Sequence, residues 1–261
     1  MRRMLKNLLI GCPPLYLLAR RLRHLAGLAA KLLKRGTFWG RMYCVDDERN
    51  VIFTAICKVA SSSFRSVFLG IQWKDADDFN ARKRASAKYR ADVDLAAYPD
   101  YFKFAFVRNP FERLVSCYEE KYHGGYPEPF FQTYLMGILA KDRGFASFAR
   151  RVTRIPNCLA DRHFCRQWDL LTDRKGRLAC DTVGHMENLI ADYEPIRARF
   201  GLAPLPHIRA SQSSQRDWRE YYDEPLARRV YAHYKADVDN LGYEDAYQDL
   251  LAYIRARAMP L

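Results

Sequence analysis

From Leu15 the apolar positions Leu15, Leu18, Leu22, Leu25, Ala29 and Leu32 recur at alternating steps of three and four, while Arg20, Arg21, Arg23, Lys31, Lys34 and Arg35 fall on other faces. That spacing predicts a basic amphipathic helix. Past Gly36 the pattern turns globular, and Val51-Ile52-Phe53-Thr54-Ala55-Ile56 is a short β-branched run of the kind that forms a buried strand, the expected first core strand. Residues 73–98 are charged and helix-prone and predict solvated helix or loop. A second strand is predicted over 102–107, ending at Arg108. Asn109 then caps a helix that holds Pro110 and Glu112 in its first turn and runs to about residue 122. Mixed helical character follows to about residue 152, and a polar loop carries Asp161, His163 and Trp168. The turn-like Asp173-Arg174-Lys175-Gly176 leads into a strand predicted over 178–183 and a helix over 186–200. From Asp217 onward the pattern gives two helices. Strands alternating with helices predict an α/β fold with a central parallel sheet.

Composition narrows the partners. At 261 residues and 49% hydrophobic the chain can bury one substantial core, which excludes the disordered class. Residues 1–36 read as a basic N-terminal segment and 37–261 as a single domain. Lysine and arginine total 43 against 30 acids, a formal charge of +13, so anions are the expected partners. The basic residues are dispersed and match no nucleic-acid module, so nucleic acid is not expected. The seven cysteines are scattered without a CxxC and read as reduced thiols of a cytoplasmic protein. Cys158, His163, Cys165 and Cys180 follow none of the usual zinc spacings, and no metal is expected. Pro13 and Pro14 interrupt the N-terminal apolar stretch, which disfavours a bilayer span. The basic helix after it suits packing on the domain or in a homodimer, or peripheral contact with anionic lipid on the inner membrane face.

Two junctions carry the chemistry. In Ile56-Cys57-Lys58-Val59-Ala60-Ser61-Ser62-Ser63-Phe64-Arg65 a hydrophobic strand runs into a lysine and three hydroxyls before an apolar-faced helix. Backbone N–H groups at such a helix start converge on an anion, and the lysine adds a mobile charge. A Walker A loop needs glycines that this segment lacks, which disfavours a nucleotide kinase-like phosphotransferase. In Phe106-Val107-Arg108-Asn109-Pro110-Phe111-Glu112-Arg113-Leu114-Val115-Ser116 a strand end again meets a helix start. An arginine fork at Arg108 with the Ser116 hydroxyl suits a second phosphate. Each junction read alone is also explained by an ordinary helix cap with a surface charge.

Taken together, the two segments resemble the donor-binding motifs of carbohydrate sulfotransferases of the chondroitin 4-sulfotransferase and HNK-1 sulfotransferase type, related to heparan 2-O-sulfotransferases. Residues 57–64 align without gaps with the family's P-K-V-A-C-T-N-W loop, Cys57 standing in place of proline. Lys103 through Tyr118 reproduces the family's K-F-x-F-V-R-x-P-F-E-R-L-V-S-x-Y nearly throughout. Weaker similarity runs through Asp161-Arg162-His163-Phe164, through Asp181-Thr182-Val183-Gly184-His185-Met186-Glu187-Asn188, and through a closing segment that ends at Tyr243.

The resemblance implies a P-loop-like phosphosulfate-binding loop and the donor PAPS (3′-phosphoadenosine 5′-phosphosulfate), released as PAP. The 5′-phosphosulfate would lie on Lys58, Val59, Ala60, Ser61, Ser62, Ser63 and Phe64, and the 3′-phosphate on Arg108 and Ser116. The acceptor would be a carbohydrate hydroxyl, on an anionic polysaccharide or a glycolipid. Sulfuryl transfer resembles phosphoryl transfer, so positioning and charge neutralisation dominate. Lys58 is then expected to stabilise the leaving oxygen, with His163 as general base and Glu187 as the next candidate. His207, Arg209 and Ser211 form a polar loop that could touch nucleotide or acceptor. The competing expectation is a non-catalytic binder of anionic polysaccharide or membrane. The family's luminal members give a Golgi membrane as the alternative location.

Overall fold

The computed structural model describes residues 13–70, 88–120, 134–139, 144–173, 175–206 and 216–258. One sheet is built from β1 (Met42–Asp46), β2 (Val51–Thr54), β3 (Tyr89–Ala91), β4 (Phe102–Val107) and β5 (Thr182–His185), in the order β3-β1-β2-β4-β5. β2 pairs parallel with β4 and β4 with β5, whereas β1 is antiparallel to both its neighbours. Four strands therefore run one way and β1 the other. The expected parallel sheet is present, but β2 is not its first strand. β1 enters through a tight turn that Asn50 closes with φ 52°, and β3 lies at the end of a segment expected to be helix or loop.

Helices cover the sheet: α1 (Pro13–Arg35), α2 (Ser61–Leu69), α3 (Pro110–Tyr118), α4 (Gly144–Val152), α5 (Gln167–Leu171), α6 (Leu189–Phe200), α7 (Glu224–Asn240) and α8 (Glu244–Ala258). All of β2 and the last four residues of β4 are buried, as expected of strands covered on both faces. Phe64 of α2 is an aromatic wedge on the sheet, its ring centroid 4.3 Å from Phe53, 5.0 Å from Phe106 and 5.3 Å from Tyr193. That packing fixes where α2 begins, just past the end of β2. Asn109 caps α3 as its type predicts, its side chain accepting from the Phe111 amide at 3.0 Å. The regular α-helix of α3 ends at Tyr118 and continues as a wider helical turn through Glu119 and Glu120, and the end expected near residue 122 lies outside the described residues. α1 buries Leu28 and sets His24 against Tyr134, while Leu15, Leu18, Leu22 and Leu33 stay exposed. Among the described residues no helix is long and apolar enough to cross a membrane.

The strand expected over 178–183 is shifted to Thr182–His185, and Leu178 makes only an isolated bridge with Thr172. Asp181 sets the register: its amide donates to the Lys103 carbonyl and its carboxylate accepts from the Lys103 amide, both at 2.7 Å. Gly184 then lies so close to β4 that a Cβ there would sit 2.5 Å from the Phe106 ring.

A buried cation fixes the loops at the strand ends. Arg113 of α3, 1% exposed, donates to the carbonyls of Cys57 (3.1 Å), Cys165 (2.8 Å) and Arg162 (3.2 Å). It therefore ties the β2–α2 turn to the turn before α5. Below it, fully buried Asp237 of α7 accepts from the Gln167 and Trp168 amides at 2.9 and 2.8 Å, capping α5.

Gly184→Ala should destabilise the fold by about 1–3 kcal/mol through overpacking against Phe106, measured as a lower urea midpoint with an unchanged slope. Arg113→Lys keeps the charge but cannot reach three carbonyls, and should cost about 3 kcal/mol. The same urea titration checks it.

Candidate active site

β2 delivers its chain into the turn Cys57–Ala60, where Lys58 (φ 71°) and Ala60 (φ 44°) both adopt the left-handed conformation. Each such non-glycine residue costs about 1–3 kcal/mol, a strain that collects at ligand clamps. The first helical bond of α2 runs from the Phe64 amide to the Ala60 carbonyl at 3.1 Å, and Ala60 provides no side-chain cap. The amides at the α2 start thus concentrate the positive end of the helix dipole beside the turn. Ser61 and Ser62 are half-buried there and Ser63 is buried. Arg65 braces the same turn, donating to the Ser61 carbonyl at 3.1 Å and the Ser62 hydroxyl at 3.0 Å. Val59 and Phe64, expected among the donor-binding residues, have fully buried side chains, so they can offer only backbone to a ligand. The Lys58 ammonium, 8% exposed, forms an ion pair with Glu120 just past α3.

Arg108 occupies the corresponding place at the end of β4. The Gln167 side chain clamps its backbone from both sides, accepting from its amide at 3.0 Å and donating to its carbonyl at 2.7 Å. Its guanidinium donates to Glu112 at 2.8 Å and, across 50 residues of sequence, to the Lys58 carbonyl at 3.3 Å. The two junctions are thereby joined. The Arg108 Nε is buried and has no hydrogen-bond partner among the described residues. An unpaired buried donor is expensive, and this one belongs to the guanidinium that also reaches the Lys58 turn. Ser116 is buried on α3, 5% exposed, and no hydrogen bond joins it to Arg108.

His163 lies beneath the first turn. Its Nδ1 contacts Asp161 Oδ1 at 2.5 Å, the same oxygen accepts from the His163 amide at 2.9 Å, and the ring also hydrogen bonds the Cys57 thiol. Burial lowers its pKa, but the bonds to Asp161 and Cys57 outweigh that and raise it to about 9. Burial pushes the Cys57 thiol up, yet the His163 bond and the charges of His163, Arg162 and Arg113 hold it below the ordinary thiol value. Asp161 is likewise held below the ordinary carboxylate value, because its bonds with His163 overcome burial. The three side chains form a Cys–His–Asp array.

Glu187 supports the β4 end: Oε1 accepts from the Asn109 amide at 2.7 Å and Oε2 from the Tyr243 hydroxyl at 3.1 Å. Both carboxylate oxygens are therefore engaged. His207, Arg209 and Ser211 lie outside the described residues. Cys158 is exposed, Cys165 buried and Cys180 turned toward Thr54, and among the described residues no group of three or more Cys, His, Asp or Glu side chains is arranged to hold a metal ion. Sequence reasoning missed Glu120, Gln167, Arg113 and Cys57. Only Cys57 carried a signal, as a thiol standing where the similar motif has proline.

A family model described as the Sulfotransferase family matches residues 41–244. Carbohydrate sulfotransferase 8 of Homo sapiens is 26% identical over 240 residues, covering 79% of this chain and 56% of that protein. Carbohydrate sulfotransferase 14 of Danio rerio is 26% identical over 216 residues, 74% of this chain and 55% of its own length. Carbohydrate sulfotransferase 11 of Rattus norvegicus is 26% identical over 110 residues, 38% of this chain and 31% of its own. The chain thus spans between 31% and 56% of the length of these relatives. No solved structure matches it significantly. With the family match reaching from just before β1 to the start of α8, and both anion junctions inside it, the chain belongs to the sulfotransferase family.

Proposed function

We propose that this chain transfers a sulfuryl group from PAPS to a carbohydrate hydroxyl. The observation that carries the reading is the Arg108 guanidinium, which links the two junctions through the Lys58 carbonyl while keeping a buried Nε unpaired. A donor with phosphates at both ends of its ribose needs two such cationic sites side by side. The strained turn, the α2 amides and Lys58 suit the phosphosulfate. Arg108 suits the 3′-phosphate, with Ser116 of α3 as the accompanying hydroxyl.

Lys58 neutralises the charge that grows on the bridging oxygen as the sulfur–oxygen bond to PAP breaks and the bond to the acceptor oxygen forms. Its partner Glu120 keeps the ammonium at the turn until an anion takes its place. His163 takes the acceptor proton in its neutral form once the acceptor hydroxyl has displaced the Cys57 thiol from its ring, and Asp161 orients the ring. Glu187 positions Asn109, and through it the start of α3. The exposed Leu15, Leu18 and Leu22 beside Arg20, Arg21 and Arg23 support peripheral contact of α1 with anionic lipid, which favours a glycolipid or membrane-proximal acceptor.

Transfer of labelled sulfate from PAPS to a panel of desulfated polysaccharides and glycolipids tests the reading. Lys58→Ala should lower kcat by about 10²–10³-fold with the fold intact, and no labelling of any carbohydrate by the unaltered chain would sink the proposal. Because the folded pKa of His163 is raised to about 9, the proton-accepting form grows as pH rises through that value. We therefore expect kcat to climb between pH 7 and about 9 and His163→Asn to abolish the climb. A flat profile would remove His163 as the base.

A further inference from the structure

We propose that Cys57 is a thiol-modification site that takes low-molecular-weight disulfides, and that its mixed disulfide blocks the donor turn. The blocking half rests on the donor-site reading above; the reactivity half does not.

The geometry is that of an activated thiol. Cys57 is the first residue of the turn, immediately before Lys58 with its left-handed backbone, and it is only half-buried. Its side chain hydrogen bonds the His163 ring, whose Nδ1 is held by Asp161 at 2.5 Å, and its carbonyl takes a bond from Arg113 at 3.1 Å. The charged and titratable groups that face it are the His163 ring with Asp161 behind it, Arg162 and Arg113, then the neutral Tyr89 phenol and the Cys165 thiol. Cations dominate that set, and an electropositive, partly accessible setting is what generates thiolate near neutral pH.

The contrast with the other thiols is sharp. Burial pushes Cys44 up to about 12 and Cys180 up to about 11, and Cys165 also goes up. Those thiols pack in or against the core, whereas Cys57 is a half-buried residue of the cationic turn itself. Cys158 is exposed and has no comparable array among the described residues, so it provides an internal standard.

The step balances without an oxidant beyond the disulfide itself. The Cys57 thiolate attacks one sulfur of the disulfide, a new sulfur–sulfur bond forms as the old one breaks, and the released thiolate takes a proton from solvent. The group left on Cys57 occupies the turn where the α2 amides and Lys58 would meet an anion. A thiol reductant reverses it. The imidazolium that stabilises the thiolate is also the form of His163 that cannot accept a proton, so the array favours modification at the pH where transfer is slow.

The full chain is incubated with glutathione disulfide at pH 7, and modification is followed site by site by mass spectrometry. Cys57 should react about tenfold faster than Cys158, as expected for a thiol that neighbouring cations hold toward the thiolate. Asp161→Asn should remove that advantage and leave Cys158 unchanged. If that variant does not fold, iodoacetamide alkylation of the unaltered chain serves instead: the Cys57 rate should level off at lower pH than the Cys158 rate. Equal rates at the two sites, or parallel pH profiles, would overturn the proposal. PAP should protect Cys57 and not Cys158, and dithiothreitol should restore PAP binding to the modified chain. Fast Cys57 modification without protection by PAP, in a chain that binds PAP, would overturn the blocking half alone. A chain that binds no PAP would count against the donor reading and leave the reactive thiol standing.

Discussion

The buried guanidinium of Arg113 is the constraint on which the site depends. A cation removed from water survives only if its donors are satisfied, and here the acceptors are carbonyls of two separate turns, at Cys57 and at Arg162 and Cys165. Satisfying Arg113 therefore dictates the distance between the β2–α2 turn and the loop that carries His163. The same turn is fixed from its other side by Phe64, and Arg108 is fixed by Gln167, itself held by Asp237 of α7. An exposed-looking binding loop is thus determined by core contacts.

The cations around the turn come with their own carboxylates: Lys58 with Glu120, Arg108 with Glu112, His163 with Asp161. Pairing holds each cation in position and limits repulsion among three like charges packed within one site. It also means that an incoming anion replaces an existing partner instead of meeting a bare field, so affinity depends on how many oxygens it presents at the right spacing. The formal charge of +13 favours the approach of anions, and in the proposed donor site selection among them would fall to the paired cations and to Arg108, whose Nε has no partner among the described residues.

Local chemistry made part of this legible in advance. The strand ending at Arg108, the Asn109 cap and the Pro110 helix start follow from residue types within one turn of each other, and they appear as read. β1 and β3 escaped because each is short and is recognisable only by its pairing. β5 was misplaced because the hydrogen bonds of Asp181 to Lys103, 78 residues away, outweigh the apolar run that begins at Leu178. Phe64 was grouped with the ligand residues because a motif shows adjacency and not direction, and its side chain points into the core. The Arg113, Gln167 and Cys57 contacts could not be read at all, since each joins residues about fifty or more positions apart.

Nucleotide binding most directly tests the two proposed anion sites joined through Arg108. Isothermal titration of PAP and 5′-AMP into the unaltered chain and into Arg108→Ala separates the two sites, since only PAP carries the 3′-phosphate. If Arg108 holds the 3′-phosphate, the unaltered chain should prefer PAP and the variant should bind both nucleotides near-equally. Equal affinity for PAP and 5′-AMP in the unaltered chain, or an unchanged preference in Arg108→Ala, would contradict that assignment.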